Sequence, residues 1–227
     1  VDDQVLDNPS LSSLTGPHAH LALGRAPVLR YPADISPFVA MPDEPDDAAW
    51  RALAELLGPG GIGAVAGLTS EPRPGWEVLM DLPGVQMVDE GMDAVPDDEA
   101  IVLGPADVPE MLALVERTRP GPFEARTVEL GTYLGIRREG ELVAMAGERM
   151  RPPGWTEVSA VCTDPRFQGQ GLGGRLVRAV AVGIRARGEV PCLHAAATNT
   201  GAIKLYESLG FVTRRTIDFV GLRAPSG

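Results

Sequence analysis

At 227 residues, with 44% hydrophobic and 22% charged, the chain is one large domain or two small ones with enough apolar side chains for a full core, which excludes extensive disorder. Its net charge of −11 sits in the first half: residues 1–96 hold 15 Asp and Glu against 4 Arg and no Lys, whereas residues 97–227 hold 16 acidic against 16 basic. An acidic half repels phosphate, so nucleic acid and anionic membrane surfaces are excluded as the main ligands.

Asp2 and Asp3 stand where a secretory leader would carry Lys or Arg, so a cytoplasmic protein is expected. Prolines at 9, 17, 27, 32, 37, 42 and 45 exclude long helices from the first 45 residues. A helix is predicted from Asp46 to Leu57. Asp46 or Asp47 caps it, Trp50, Leu53, Ala54 and Leu57 recur on one face, and Gly58 stops it. The uncharged run from Gly58 to Ser70 is too short for a membrane span and is broken by five glycines and a proline. Short strands are predicted at Gly63–Gly67, Trp76–Met80 and Val85–Val88. Residues 1–96 read as half of an α/β unit without a site of its own, and the acidic, turn-rich stretch Asp89–Glu99 as its boundary with residues 97–227.

The second half opens with a strand, Ile101–Leu103, and a helix, Asp107–Thr118, with Val108, Met111, Leu112 and Val115 on one face. Tyr133–Arg138 and Glu141–Ala146 form a hairpin closed by Glu139-Gly140. A strand at Thr156–Thr163 ends at Asp164-Pro165. A helix over Gly173–Arg187 buries Leu176, Val177, Val180, Ala181 and Ile184. A strand at Val190–Ala195, a short helix capped by Asn199 or Thr200 and ended by Gly210, and a strand from Phe211 to Leu222 complete the chain.

Gln168-Gly169-Gln170-Gly171-Leu172-Gly173-Gly174 lies between a strand and an amphipathic helix. Such glycines turn the backbone tightly and bring successive N–H groups to a ligand at a helix N-terminus, where phosphate is the natural guest. A P-loop needs Lys-Ser or Lys-Thr after the last glycine, and Gly174-Arg175 supplies neither. Gly169, Gly171 and Gly174 satisfy the dinucleotide pattern, but the acidic residue wanted at the end of the next strand is missing, because Glu189 precedes that strand. A packing turn is the remaining bland reading.

Val161 to Gly173 resembles motif A of the GNAT superfamily, the acyl-CoA-dependent N-acyltransferases. Its (Q/R)-x-x-G-x-(G/A) signature is met by Gln168, Gly171 and Gly173, and also, two residues earlier, by Arg166, Gly169 and Gly171. Asn199 to Phe211 is similar to the family's motif B, N-x-x-A-x-x-x-Y-x-x-x-G-F. The resemblance covers about residues 98–225. Leu142–Arg149 and Glu157–Thr163 look like the branch in which a degenerate half-domain precedes the catalytic one, as in glycine N-acyltransferase-like proteins. It implies a mixed, mostly antiparallel sheet with flanking helices, preceded by a smaller α/β half-domain.

The resemblance also implies acetyl-CoA as co-substrate and an amine as acceptor. Backbone groups of Val161, Cys162 and Thr163 would pair with the pantetheine arm, and amides of Gly169, Gln170, Gly171, Leu172, Gly173 and Gly174, beside Gln168, would take the pyrophosphate. Asn199 either contacts the cofactor or only caps its helix. Cys162 as an acyl-carrying nucleophile is disfavoured, with no histidine beside it. An alkylamine with a pKa near about 10.4 needs a base or an ordered water at neutral pH. Glu157 is the candidate, placed by strand alternation on one face with Ser159, Val161 and Thr163; its alternative is a solvated strand-end carboxylate. Tyr206 matches the tyrosine facing the departing thiolate, or else packs its helix.

His18, His20 and His194 have no carboxylate or cysteine completing a metal site, so no metal is expected. Arg137-Arg138 and Arg214-Arg215 read as solvated strand ends. The expected activity is direct acetyl transfer to a primary amine in a ternary complex. A silent acyl-CoA-binding module and a transferase for longer acyl groups are the alternatives, and a homodimer is one expected assembly. Asp43, Glu44, Asp46 and Asp47 are candidates for favouring cationic amines.

Overall fold

The computed structural model describes residues 2–226. The first half supplies β1 (Leu23–Arg25), β2 (Val28–Arg30), β3 (Phe38–Ala40), β4 (Ile62–Ala66) and β5 (Glu77–Asp89), with helices α1 (Pro9–Thr15) and α2 (Asp47–Leu57). The second half supplies β6 (Ile101–Leu103), α3 (Val108–Thr118), β7 (Tyr133–Arg138), β8 (Glu141–Glu148), β9 (Trp155–Thr163), α4 (Leu172–Ala186), β10 (Val190–Ala196), α5 (Thr200–Leu209) and β11 (Phe211–Arg223). All eleven strands form one mixed sheet in the order β1-β2-β3-β4-β11-β5-β10-β9-β8-β7-β6. Among the described residues, only the β3·β4 and β9·β10 pairs are parallel.

Local signals account for most elements. The Asp46 carboxylate accepts the Ala49 N–H at 2.8 Å and starts α2, and Gly58 at φ +78° stops it. Glu139 and Gly140, at φ +51° and +85°, close the β7–β8 hairpin with the two positive φ values of a type I′ turn. The five predicted core residues of α4 are all buried, at 2% exposure or less.

Two predicted strands are one. Val85–Val88 and all of Trp76–Met80 except Trp76 belong to β5, which runs through Asp81-Leu82-Pro83-Gly84 without turning. The Pro83 carbonyl accepts the Ala197 N–H at 2.8 Å, and a Cβ on Gly84 would lie 3.0 Å from both the Ala195 carbonyl and the Phe219 ring. This Pro-Gly pair marks a close crossing inside a long strand.

β5 lies between β10 and β11 and pairs antiparallel with both. The sheet therefore does not divide at Asp89–Glu99: a strand from residues 1–96 fills the centre of the sheet built by residues 97–227. α4 and α5 cover one face through Met87, Val158, Leu176, Val180, Leu193 and Phe211. α3 covers the other over Met145, Ala160 and Cys162. Ala144 and Ala146 belong to the first cluster and Met145 to the second, as the pleat requires.

Candidate active site

The parallel β9·β10 ladder ends at Val158 and Leu193. β10 continues along β5, with His194 opposite Gln86, while β9 continues along β8, with Cys162 opposite Met145. The β10-facing edge of residues Ser159–Thr163 has no strand partner, so the sheet opens into a wedge. A bulge sits at its apex: Ala160 has φ +53°, and the β8·β9 register shifts between Met145 and Gly147.

The bulge also reverses the pleat. Val158 and Val161 both pack on the α4 side, whereas Ala160 and Cys162 pack on the α3 side. Unbroken alternation would put Glu157 on the face of Val161 and Thr163; the extra residue puts it on the opposite one.

The wedge opens toward the glycine loop. Gln168 Nε2 donates to the Thr163 carbonyl at 3.3 Å. Gly169 and Gly171 have φ +79° and +73°, with open space where a side chain would stand. Gly171 is the N-cap of α4 and provides no side-chain acceptor, and no acid occupies the first turn. The amides at and just before the start of α4, from exposed Gln170 past buried Leu172 to Gly173, therefore have no side-chain cap, which is the chemistry of an anion site. Gly174 sits deeper, where a Cβ would lie 3.4 Å from Leu205. Beside the loop, Arg175, Arg178, Leu205, Leu209 and Asp97 line a cavity of about 380 Å³. Arg166, the first residue of the alternative motif frame, is held by Asp164 at 3.0 Å and Glu141 at 2.8 Å.

Tyr206 on α5 is buried in the α4-side core, with its ring edge-on to Phe211 at 6.1 Å. Burial, with the Cys162 thiol nearby, pushes its phenol up to about 12. Burial likewise pushes the Cys162 thiol up to about 11, the wrong direction for a nucleophile. Asn199 caps α5, its side-chain oxygen accepting the Ala202 N–H at 3.1 Å.

Glu157 is 1% exposed and is not a solvated strand end. Its Oε1 accepts from Arg149 Nη2 at 2.5 Å and lies 2.7 Å from His194 Nδ1; its Oε2 accepts from Arg149 Nε at 2.9 Å and the Met150 N–H at 3.2 Å. Burial alone would raise this carboxyl, but Arg149 and then His194 outweigh it and hold Glu157 well below the usual carboxylate range. With four donors on two oxygens, taking a substrate proton directly would require one donor to leave. The Arg149 guanidinium stacks over Phe38 of β3 at 4.9 Å, so the first half reaches this cluster.

A GNAT-family protein of Novosphingobium aromaticivorans of known crystal structure is 42% identical, aligns over 96% of this chain and 97% of its own, and superposes with a TM-score of 0.88. The chain belongs to the GNAT family. The model of FR47-like proteins matches residues 133–220. The N-alpha-acetyltransferase RimI of Mycobacterium tuberculosis is 42% identical over 99 residues, 40% of this chain and 61% of that protein. An uncharacterized protein of Mycobacterium leprae is 32% identical over 206 residues, 82% of this chain and 55% of that protein. The chain thus spans a little over half the length of these two curated relatives.

Within the GNAT fold, three residues of the Glu157 cluster are not singled out as site residues by sequence reasoning: Arg149, Gln86 and His194. Gln86 and His194 are each a lone polar residue in an apolar strand, and that is the one signal each carries; Arg149, next to Glu148 at the end of β8, carries none. Arg214, read as a solvated strand end, is tied to Asp3, Asp7 and Gln86. The acids at 43, 46 and 47 are engaged locally: Asp43 with Asn8, Asp46 as the α2 cap and Asp47 with Arg73. Among the described residues no group of three or more His, Cys, Asp or Glu is placed to hold a metal ion, and no helix is long and apolar enough to cross a membrane.

Proposed function

We propose that the chain is an N-acetyltransferase that moves an acetyl group from acetyl-CoA to a primary amine by direct attack, with both substrates bound together. The observation that carries this reading is the β9–β10 wedge opening onto the uncapped N-terminus of α4. The arm of the thioester adds to the free edge of β9 at Val161, Cys162 and Thr163, by backbone hydrogen bonds that need no particular side chain. The pyrophosphate takes the amides from Gly169 to Gly174. Asn199 shapes the site by starting α5 and so placing Tyr206.

As the amine nitrogen bonds to the carbonyl carbon, the carbon–sulfur bond breaks and the amine proton must leave. A phenol at about 12 facing a thiol near about 8.5 would transfer its proton uphill by roughly 5 kcal/mol, so Tyr206 stabilises the departing thiolate by donating a hydrogen bond. Glu157 supplies the negative charge that favours deprotonation of the amine. The reading extends to an α-amino acceptor, on the strength of the name of the M. tuberculosis relative. It also includes residues 1–96 as a degenerate half-domain shaping the acceptor side, since Phe38 and Gln86 reach the Glu157 cluster. A cytoplasmic setting fits the two free, buried cysteines, and a homodimer is the proposed assembly.

The test is calorimetric titration with acetyl-CoA, followed by thiol release with tetrapeptides bearing free N-termini, spermidine and free amino acids. Binding with amine-dependent release supports the reading. No heat at hundreds of micromolar acetyl-CoA, or binding without release for any amine, overturns it.

A further inference from the structure

His194 is the first residue of β10 beyond its last pairing with β9, so it stands at the apex of the wedge. Its ring is fixed on both sides. Nδ1 lies 2.7 Å from Glu157 Oε1, and Nε2 lies 3.0 Å from Gln86 Nε2. The orientation of the Gln86 amide is set independently: Oε1 accepts from Arg214 Nη1 at 2.9 Å, and Nε2 donates to the Leu6 carbonyl at 2.8 Å. Both Gln86 nitrogen protons are therefore donors, one to Leu6 and one to His194. It follows that His194 Nε2 carries a lone pair and that Nδ1 carries the proton donated to Glu157.

This is the arrangement of a base oriented by a carboxylate. The carboxylate is itself held by two hydrogen bonds from Arg149, which leaves it ionised and fixes its direction toward Nδ1. Glu157 has no lone pair to spare, whereas the Nε2 lone pair is occupied only by a neutral amide N–H. An ammonium N–H of the acceptor is a stronger donor for that position than the amide it displaces. The ring also packs against Phe219 of β11, edge-on at 5.5 Å.

We infer that His194 is the residue that takes the proton of the acceptor amine, with Glu157 orienting it and Gln86, from the first half of the chain, occupying the proton-accepting position until the amine arrives. The inference rests on the acetyltransferase reading. In the step, the ammonium first gives one proton to His194 Nε2, which releases it to solvent; the freed nitrogen lone pair then forms the N–C bond, the C–S bond breaks, the second proton passes to His194 Nε2, and the thiolate, hydrogen-bonded by Tyr206, is reprotonated from solvent as His194 releases it. Nothing is oxidised or reduced.

The experiment compares wild type, His194→Ala and His194→Gln with the most active amine of the panel above, measuring acetyl-CoA affinity by calorimetry alongside thiol release. Both variants are expected to lose about 100-fold or more in kcat while acetyl-CoA affinity stays within twofold. Imidazole at tens of millimolar is expected to restore His194→Ala at least tenfold, which a purely structural role would not allow. His194→Gln retains an N–H for Glu157, so it guards against a folding failure of the alanine variant. Full activity of His194→Gln, or a His194→Ala loss that imidazole leaves unchanged, would overturn the inference while leaving the acetyltransferase reading intact. Wild-type protein that binds no acetyl-CoA or acetylates no amine would overturn that reading and this inference with it.

Discussion

Asp97 Oδ2 accepts a 2.6 Å hydrogen bond from Arg175 Nε in the first turn of α4. A second bond joins Asp97 Oδ1 to Nη2 at 2.8 Å, and Glu99 Oε2 takes the same nitrogen at 2.5 Å. Asp89 meets Arg185 at the far end of the helix at 2.5 Å. The acidic stretch between the two halves thus lies along α4 as a strap. An arginine in the first turn opposes the helix dipole, and the strap offsets that cost. It also ties up a cation that borders the cavity beside the glycine loop. Asp97→Asn is expected to lower Tm by a few degrees, the equivalent of roughly 1 kcal/mol for a domain of this size. The same change is expected to tighten acetyl-CoA binding severalfold. Calorimetry and a melting curve on one preparation check both, and weaker binding would refute the strap's competition for Arg175.

The Arg149–Glu157 pair predicts a different signature. Both partners are buried, so removing one leaves a charge without compensation. Glu157→Gln is expected to cost about 3 kcal/mol, and Arg149→Met with Glu157→Leu together less than the sum of the single changes. Because the folded-state carboxyl is held below its usual range, its contribution is complete above about pH 4.3 and is lost as pH falls through the lower folded value. Urea unfolding from pH 7 to 3 should therefore show a fall below about pH 4 that is blunted in Glu157→Gln. An identical pH dependence in both proteins would show that the pair is not what acid disrupts.

Elements with a period and a punctuation mark were legible in the sequence. α2, α4 and α5 each carry an apolar stripe and a terminating Gly, Arg-Gly or capping Asn, and their bounds follow from these local causes. β5 was not legible as one strand, because Pro83-Gly84 carries the same letters in a turn and in a close crossing, and only the neighbouring strands decide between them. The same limit applies to the site. The glycine loop announces itself through φ values that favour glycine. The bulge at Ala160 leaves no mark, since alanine adopts the left-handed region only under tertiary constraint, and one inserted residue reversed every alternation-based placement around it. The Glu157–His194–Gln86 chain joins three strands far apart in sequence, so no spacing encodes it.

Tyr206→Phe should separate binding from chemistry. The phenol is buried and its pKa is raised to about 12, and in the proposed mechanism removing its O–H removes a donor to a charged leaving group. Loss of such a bond is worth about 1.5–3 kcal/mol, so kcat is expected to fall about 10- to 100-fold while acetyl-CoA affinity and Tm stay near wild type. A loss confined to KM for the amine would place Tyr206 on the acceptor instead.

The position of β5 makes the last prediction the most direct reading of the topology. Residues 97–227 contain both matched motifs, so the sequence alone invites their expression as a free catalytic domain. In the sheet, however, β10 and β11 do not pair with each other; each pairs with β5, and Met87 of β5 is fully buried in the α4-side core. A fragment of residues 97–227 would expose two unpaired strand edges and the cavity left by Met87. It is expected to be insoluble or to show no cooperative unfolding, and co-expression with residues 1–96 is expected to restore a soluble complex that co-purifies. A soluble fragment with a cooperative melt and wild-type acetyl-CoA affinity would show that the first half is dispensable to the fold, and that β5 covers a sheet able to close without it.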